Sequence, residues 1–458
     1  MSRDCSGLSR RDFVRAGVLG LGSLSLSHLL AARAAARAAG KSYIRDRSIV
    51  LLFLGGGASH IETFNPNLDA PEPYCSVTGE VKTKIPGLTL GGTFPLLAKH
   101  AHKLAAVRSF AHGNSNHPKA IIHVLTGGTD PTGDGKVGQS MGSVYARLRG
   151  ANHEATGLPT YCLLTSDEVD NQYVMERGRI AAGSHPGELG LAYAPFDPTG
   201  GGQLLNNLNL AVPPDRLDDR KLLLNKLDNV KRSIDASGNL QGLDRLELQA
   251  LDMIVRGAGD AFDISKEDRR TIERYDTSGF RVGKKVFQPS SLGKQMLMAR
   301  RLVEAGSGFV TVQNSGWDMH ADGNNPGIGP GMEMLGPPLD KAVSAFLDDV
   351  TSRGLLDKVL LVITGDFGRT PTINARGGRD HYPGLSTLAF FGGGLARGQI
   401  IGQSSRKNDA PASEPIGLAN LQSTVLHALF DIGQLRLDLG APRELARLAE
   451  PSPIVELF

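Results

Sequence analysis

The stretch Ser48-Ile49-Val50-Leu51-Leu52-Phe53-Leu54-Gly55-Gly56-Gly57 decides the fold. Seven residues run without polar alternation, which suits a strand covered on both faces by helices, as in a parallel sheet. The glycines close the strand in a tight turn, and a backbone cradle for an anion is a weaker second reading. Outward from this strand, apolar runs recur at Lys103–Ser109, Tyr161–Thr165, Gly308–Gln313, Lys358–Thr364 and Leu388–Phe391. Helical spacing appears over Ser291–Gly306, Pro338–Arg353 and Leu418–Phe430. Strand and helix in alternation predict an α/β fold with a doubly wound, mostly parallel sheet flanked by helices.

Residues 200–283 differ. They are richly charged and helix-patterned, with Leu222, Leu223, Leu227 and Val230 followed by Leu243, Leu246 and Leu251, and read as a helical insertion in one α/β domain spanning 40–458. The N-terminus carries Ser9-Arg10-Arg11-Asp12-Phe13, a mildly apolar stretch and an alanine-rich run to Gly40. That order predicts a twin-arginine signal peptide over 1–39, export by the twin-arginine machinery, and a periplasmic or extracellular mature chain. The apolar stretch is too short and too glycine- and serine-bearing for a membrane span of roughly 20 residues, so no mature transmembrane segment is expected.

The 458 residues have a net charge of +3, with 50 basic against 47 acidic side chains, which excludes an extended nucleic-acid surface. Cys5 falls in the signal, and Cys75 and Cys162 have no metal-type spacing, though an oxidising compartment would permit their pairing. Chemistry is therefore sought where α/β sheets keep it, beyond the carboxyl ends of the strands. There the chain places His60 and Glu62, then His112, Ser115, His117 and His123, then Asp318 and His320, then Asp366 and Arg369, then Arg379, Asp380 and His381. Imidazoles and carboxylates converging from several strand ends suit a divalent metal, because both bind it and neither is redox-labile. Asp318, His320, Asp366, His381, His60 and Glu62 are the candidate ligands for zinc, manganese, calcium or iron. His100, His102, His153 and His185 lack such surroundings and receive no role.

The segments ending in His60, Leu125-Thr126-Gly127, Gly-Trp317-Asp318-Met-His320, Gly-Asp366-Phe-Gly-Arg369-Thr-Pro and Gly-Arg379-Asp380-His381 together resemble an exported bacterial family of unknown function, domain of unknown function 1501. That family looks like a branch of the alkaline phosphatase/sulfatase-like superfamily. The resemblance implies that fold, a metal site at the strand ends, and hydrolysis of anionic phosphate or sulfate esters. Two departures stand out. The superfamily follows its Asp with His or Asn, where this chain has Phe367, and its nucleophile position falls on His117, which has neither hydroxyl nor thiol. His117 then stands as ligand or as attacking group, with Ser115 and Thr63 as fallback nucleophiles and Arg369 or Arg379 as anion holders. The competing reading is a non-catalytic exported protein binding an envelope component, a polysaccharide or a partner protein.

Overall fold

The computed structural model describes residues 43–166, 171–198, 252–253, 256, 258–438 and 440–458. The signal expected over 1–39, and residues 200–251, 254, 255 and 257 of the expected insertion, lie outside them. The central sheet has seven strands: β1 (Ser48–Leu54), β2 (Leu104–Val107), β3 (Tyr161–Leu164), β4 (Phe309–Asn314), β5 (Val359–Gly365), β6 (Leu388–Gly392) and β7 (Gln399–Ile401). Their order is β7-β2-β6-β5-β1-β4-β3. β1 pairs in parallel with β4 and β5, β3 with β4, and β7 with β2, whereas β6 runs antiparallel to both neighbours. The α/β, mostly parallel expectation is thus met, and six strands present their carboxyl ends to one edge of the sheet.

The apolar run of β1 acts as read. Ile49, Leu51 and Phe53 enter one core, with Ile121 and Val124 of α1 (His117–Leu125), Val144 and Leu148 of α2 (Met141–Arg149), and Ile180 of α3 (Asn171–Gly183). Val50, Leu52 and Leu54 enter the other, with Met296 and Leu302 of α4 (Leu292–Glu304) and Leu339, Val343 and Phe346 of α5 (Ile328–Ser352). α6 (Leu418–Leu429) joins the first core through Leu421 and Val425. Helices therefore cover both faces, and each buried aliphatic contributes about 2 kcal/mol of transfer energy.

Several boundaries move for local reasons. Lys103 closes a short 3-10 turn, Leu97–Lys103, so β2 begins one residue later than expected. α5 starts at Ile328 and runs through Pro337 and Pro338, although proline usually marks a helix start. α1 is a helix to which the apolar spacing assigns no element. Its Asn116 side chain caps the Lys119 amide at 3.4 Å and Pro118 stands in the first turn, so a helix begins at His117. Of the stretch read as an insertion, the described part forms short helices at Gly259–Phe262 and Arg269–Tyr275 and half of a small hairpin, Arg281–Val282 with Gln288–Pro289. Cys75 and Cys162 are both free thiols. Among the described residues no helix is long and apolar enough to cross a membrane.

Candidate metal centre

β1 lies between β4 and β5, so its terminal turn touches what both neighbours deliver. After β4, Gly316 adopts φ 100°, and the Trp317 amide donates to the Gly55 carbonyl at 3.0 Å. That bend presents Asp318. After β5 comes Asp366, whose Oδ1 accepts the Gly56 amide at 3.2 Å. Gly56 has φ +102°, and a β-carbon there would stand 2.5 Å from the Asp318 amide nitrogen, so both its conformation and its closeness require glycine. His117 comes from the first turn of α1. His381 comes from a two-residue ribbon in which His381–Tyr382 pairs with Gly368–Arg369.

The two imidazoles are oriented from behind. His117 Nδ1–H donates to Asp366 Oδ2 at 2.6 Å, and His381 Nδ1–H donates to the Ser115 carbonyl at 3.0 Å. Each ring therefore turns Nε2 toward Asp318, at 3.2 Å from Oδ2 for His117 and 3.4 Å from Oδ1 for His381. Both Nε2 atoms are buried and lack a hydrogen bond of good geometry. The rings sit 4.3 Å apart in T-shaped contact, and Phe367 lies 4.7 Å from each. Phe367, directly after Asp366, is thus an apolar wall beside both rings.

The charges are strongly coupled. Burial alone would keep the His117 ring neutral, but the flanking carboxylates of Asp318 and Asp366 outweigh it and raise the ring to about 9. Burial likewise opposes ionisation of Asp318, yet His117, His320, His381 and Arg369 hold its carboxyl far below the usual range. His117, Asp318 and His381 each offer one donor atom, all within 4.8 Å of one another. Two orphaned imidazole nitrogens facing one carboxylate fit a divalent ion, which would take the proton's place between them. Two nitrogen donors favour zinc, iron or manganese over calcium, which prefers oxygen.

The other expected ligands fall outside this triad. Asp366 is fully buried behind His117 and is spent on its Nδ1 and on the Gly56 amide. His320 lies close, its Nε2 3.3 Å from Asp318 Oδ2, but that nitrogen also meets the Asn325 amide at 3.0 Å. Glu62 turns away from the triad. It accepts from Ser76 at 2.6 Å, from the Val77 and Thr78 amides at 3.2 Å each and from the Thr78 hydroxyl at 2.8 Å, and it pairs with Arg379 at 3.1 Å. His60 is buried with its Nε2 on the Asn408 carbonyl at 3.2 Å.

Neither arginine is free for an anion. Arg369 is wholly buried, donating Nε to Gly57 O at 2.8 Å, Nη1 to Arg379 O at 3.1 Å, and Nη2 to Gly56 O and, at 2.6 Å, to Asp318 Oδ1. It positions Asp318. Arg379 is equally buried, between Glu62 and the carbonyls of Thr370, Pro371 and Cys75. Of the fallback nucleophiles, the Thr63 hydroxyl is buried and donates to the Ser59 carbonyl at 2.8 Å, whereas Ser115 contributes its carbonyl to His381.

Sequence reasoning missed Glu176 of α3. It is 2 % exposed and accepts the Gly316 amide at 2.9 Å, and a β-carbon at Gly55 or Gly56 would stand 2.9 Å from its carboxyl oxygens. Burial first, then the charge of Asp366, raises its carboxyl well above the usual range. Nothing near it in sequence signals this role, because its partners lie two strand ends away.

His60 is expected to contribute to acid sensitivity. Burial, reinforced by Arg379 and only partly offset by the Asn408 carbonyl, pushes its ring down to about 4. The unfolded ring takes a proton near 6.5 and the folded ring resists it, so stability falls as pH drops from about 6.5 toward 4. The shift is worth about 3 kcal/mol. Urea midpoints measured across that range should show the loss, and His60→Gln should reduce it without abolishing it, because burial pushes the His112 ring down to about 4 as well; an unchanged slope in the variant would exclude His60 as a source.

No curated protein matches the sequence. Solved structures to which the chain is similar include the lipoteichoic acid synthase LtaP from Listeria monocytogenes, at 11% identity and TM-score 0.36, over 85% of this chain and 74% of that one. A phosphonate monoester hydrolase from Silicibacter pomeroyi gives 10% and 0.34, over 89% and 77%. The alkaline phosphatase from the Antarctic bacterium TAB5 gives 11% and 0.31, over 80% and 96%. TM-scores this low leave these likenesses without bearing on chemistry. The family model described as Protein of unknown function (DUF1501) matches residues 46–450, and the chain belongs to that family.

Proposed function

We propose that this chain is a metal-dependent hydrolase of phosphate or sulfate esters, working outside the cytoplasmic membrane after twin-arginine export. The observation that carries the reading is the pair of orphaned Nε2 atoms of His117 and His381 turned on Asp318. Buried ring nitrogens without a well-formed hydrogen bond call for a partner, and an ion between them and Asp318 would be one. A divalent ion held by His117, Asp318 and His381 would supply Lewis acidity toward an ester oxygen. Asp366 and the Ser115 carbonyl set the ring tautomers, Arg369 fixes Asp318, and Phe367 keeps one side of the rings dry. With Nδ1 of His117 donated to Asp366 and Nε2 committed to the triad, the ring has no lone pair left for covalent attack. Water is therefore the attacking group in this reading.

A second reading rests on Phe367 and on the lack of a hydroxyl or thiol at the position of His117: the chain keeps the ion and binds without turnover. Metal counting by elemental mass spectrometry, with p-nitrophenyl phosphate, sulfate and phenylphosphonate as substrates, separates the two. About one ion per chain with ester turnover supports the hydrolase, one ion without turnover supports the binding protein, and no stoichiometric ion defeats both. For export, Arg10→Lys with Arg11→Lys is expected to leave the chain in the cytoplasm on cell fractionation. An unchanged distribution would rule out the twin-arginine route.

A further inference from the structure

We propose that the tip of the hairpin that pairs Arg281–Val282 with Gln288–Pro289 docks on an anionic lipid surface. This goes beyond the ester-hydrolase reading and does not depend on it. The turn between the two short strands reads Gly283-Lys284-Lys285-Val286-Phe287. Gly283 opens it at φ 127°, a conformation that a side chain would strain. Val282, just before it, is buried in the core shared by α4 and α5. Val286 and Phe287 enter neither core and stand 50 % and 56 % exposed. Single exposed apolar side chains are ordinary on a protein surface, but these two are adjacent and framed by cations.

The turn is held at its base. Lys284 Nζ donates to the carbonyls of Asp322 at 3.1 Å and Asn325 at 2.5 Å, and Lys285 Nζ donates to Asn324 Oδ1 at 2.8 Å. Both lysines therefore clamp the hairpin to the loop that follows His320. Asn325 Nδ2 in turn lies 3.0 Å from His320 Nε2, so the tip belongs to the surroundings of the metal centre. A turn already clamped loses little freedom when it docks.

The charge around the tip has one sign. No Asp or Glu occurs from Thr277 to Val303, whereas Arg281, Lys284 and Lys285 all fall on the hairpin. Among the described residues, Arg281 and Lys285 pair with no carboxylate. Asp322, whose carbonyl Lys284 meets, turns Oδ1 to the amides of Asn324 at 2.6 Å and Asn325 at 2.7 Å. Three cations against that one acid leave the tip positive.

An exposed aromatic and a β-branched side chain beside lysines match a bilayer interface. There the apolar groups enter the boundary between headgroups and acyl chains, the lysine stems lie along it, and the ammonium groups meet anionic headgroups. A soluble acidic polymer would use the cations and leave Val286 and Phe287 in water. The two ligand classes therefore differ in what they do to Phe287, which is where the test looks.

Trp317 is the only tryptophan of the chain and is fully buried, so Phe287→Trp puts a single surface reporter on the tip. The full chain carrying it is titrated with vesicles of phosphatidylglycerol or of phosphatidylcholine. Emission is expected to shift to the blue, and to be quenched by brominated acyl chains, with phosphatidylglycerol only, and added salt should weaken the effect. Lys285→Glu in the same background should raise the lipid concentration at half-maximal shift about tenfold with the thermal midpoint held. No shift with phosphatidylglycerol, an equal shift with phosphatidylcholine, unchanged affinity in Lys285→Glu, or a shift produced by soluble polyglutamate would each overturn the proposal. The reporter reads the tip itself, so lipid contact elsewhere in the chain does not mimic it. Neither metal nor turnover enters the measurement, so its failure leaves the hydrolase reading intact.

Discussion

Asp318→Ala is expected to abolish stoichiometric metal binding and any ester turnover with it. Asp318 is the only carboxylate of the described triad, and both imidazoles converge on it. Its loss also strands the buried guanidinium of Arg369, which pairs with it at 2.6 Å, so a stability loss of about 3–5 kcal/mol is expected alongside. His381→Ala separates the two effects. It removes a ligand from a half-buried ribbon without stranding a charge, and should lose the ion while keeping the thermal midpoint within a few degrees. Asp366→Asn should be milder, lowering affinity about 10–100-fold, because Asp366 orients His117 from behind. His320→Ala should change affinity least of the four. Elemental analysis and competition with a chelating dye read the series. Retention of the ion by Asp318→Ala or His381→Ala, or equal losses in His320→Ala, would show that the ion lies elsewhere.

Arg300→Ala carries the largest expected stability effect away from the site. Arg300 of α4 is 1 % exposed and reaches three carboxylates: Glu267 at 2.7 Å, Asp349 at 2.8 Å and Glu304 at 2.6 Å. Asp349 is further held by Arg353 at 2.7 Å and by the Tyr275 hydroxyl at 3.2 Å. Removing the central cation leaves Glu267 and Asp349 in low dielectric beside too little positive charge, and the expected cost is about 3–5 kcal/mol. Arg300→Lys should recover only part of it, since an ammonium cannot span three carboxylates in fork geometry. Urea denaturation measures the loss, and a value below about 1 kcal/mol would mean that water or rearrangement satisfies the carboxylates. Metal content should be unchanged, because α4 and α5 carry this network on the sheet face rather than at its carboxyl edge.

The sheet was legible because its signal is local. The β1 run buries both faces whatever its neighbours are, and its glycine turn is required within a few residues. Strand ends carrying His and Asp were legible for the same reason. The boundaries that moved turn on features that apolar spacing does not register: α5 runs through Pro337 and Pro338, and Asn116 with Pro118 opens a helix at His117.

The sequence by itself determined the α/β class, the family, and the set of imidazoles and carboxylates gathered at one edge. Only the tertiary structure decided which of them meet. Nothing local distinguishes Glu62 from His381 as a ligand: each follows a strand or ribbon and stands near glycine and a charge. Strand order puts β1 between β4 and β5, so Asp318 and Asp366 flank one turn, and His117, 249 residues before Asp366, reaches both. The 76–78 turn meanwhile saturates Glu62, and the same packing buries Arg369 and Arg379 as internal partners instead of anion holders. The physical reason is that a side chain's chemistry is local, whereas the hydrogen bonds that commit or free it are made by residues distant in the chain.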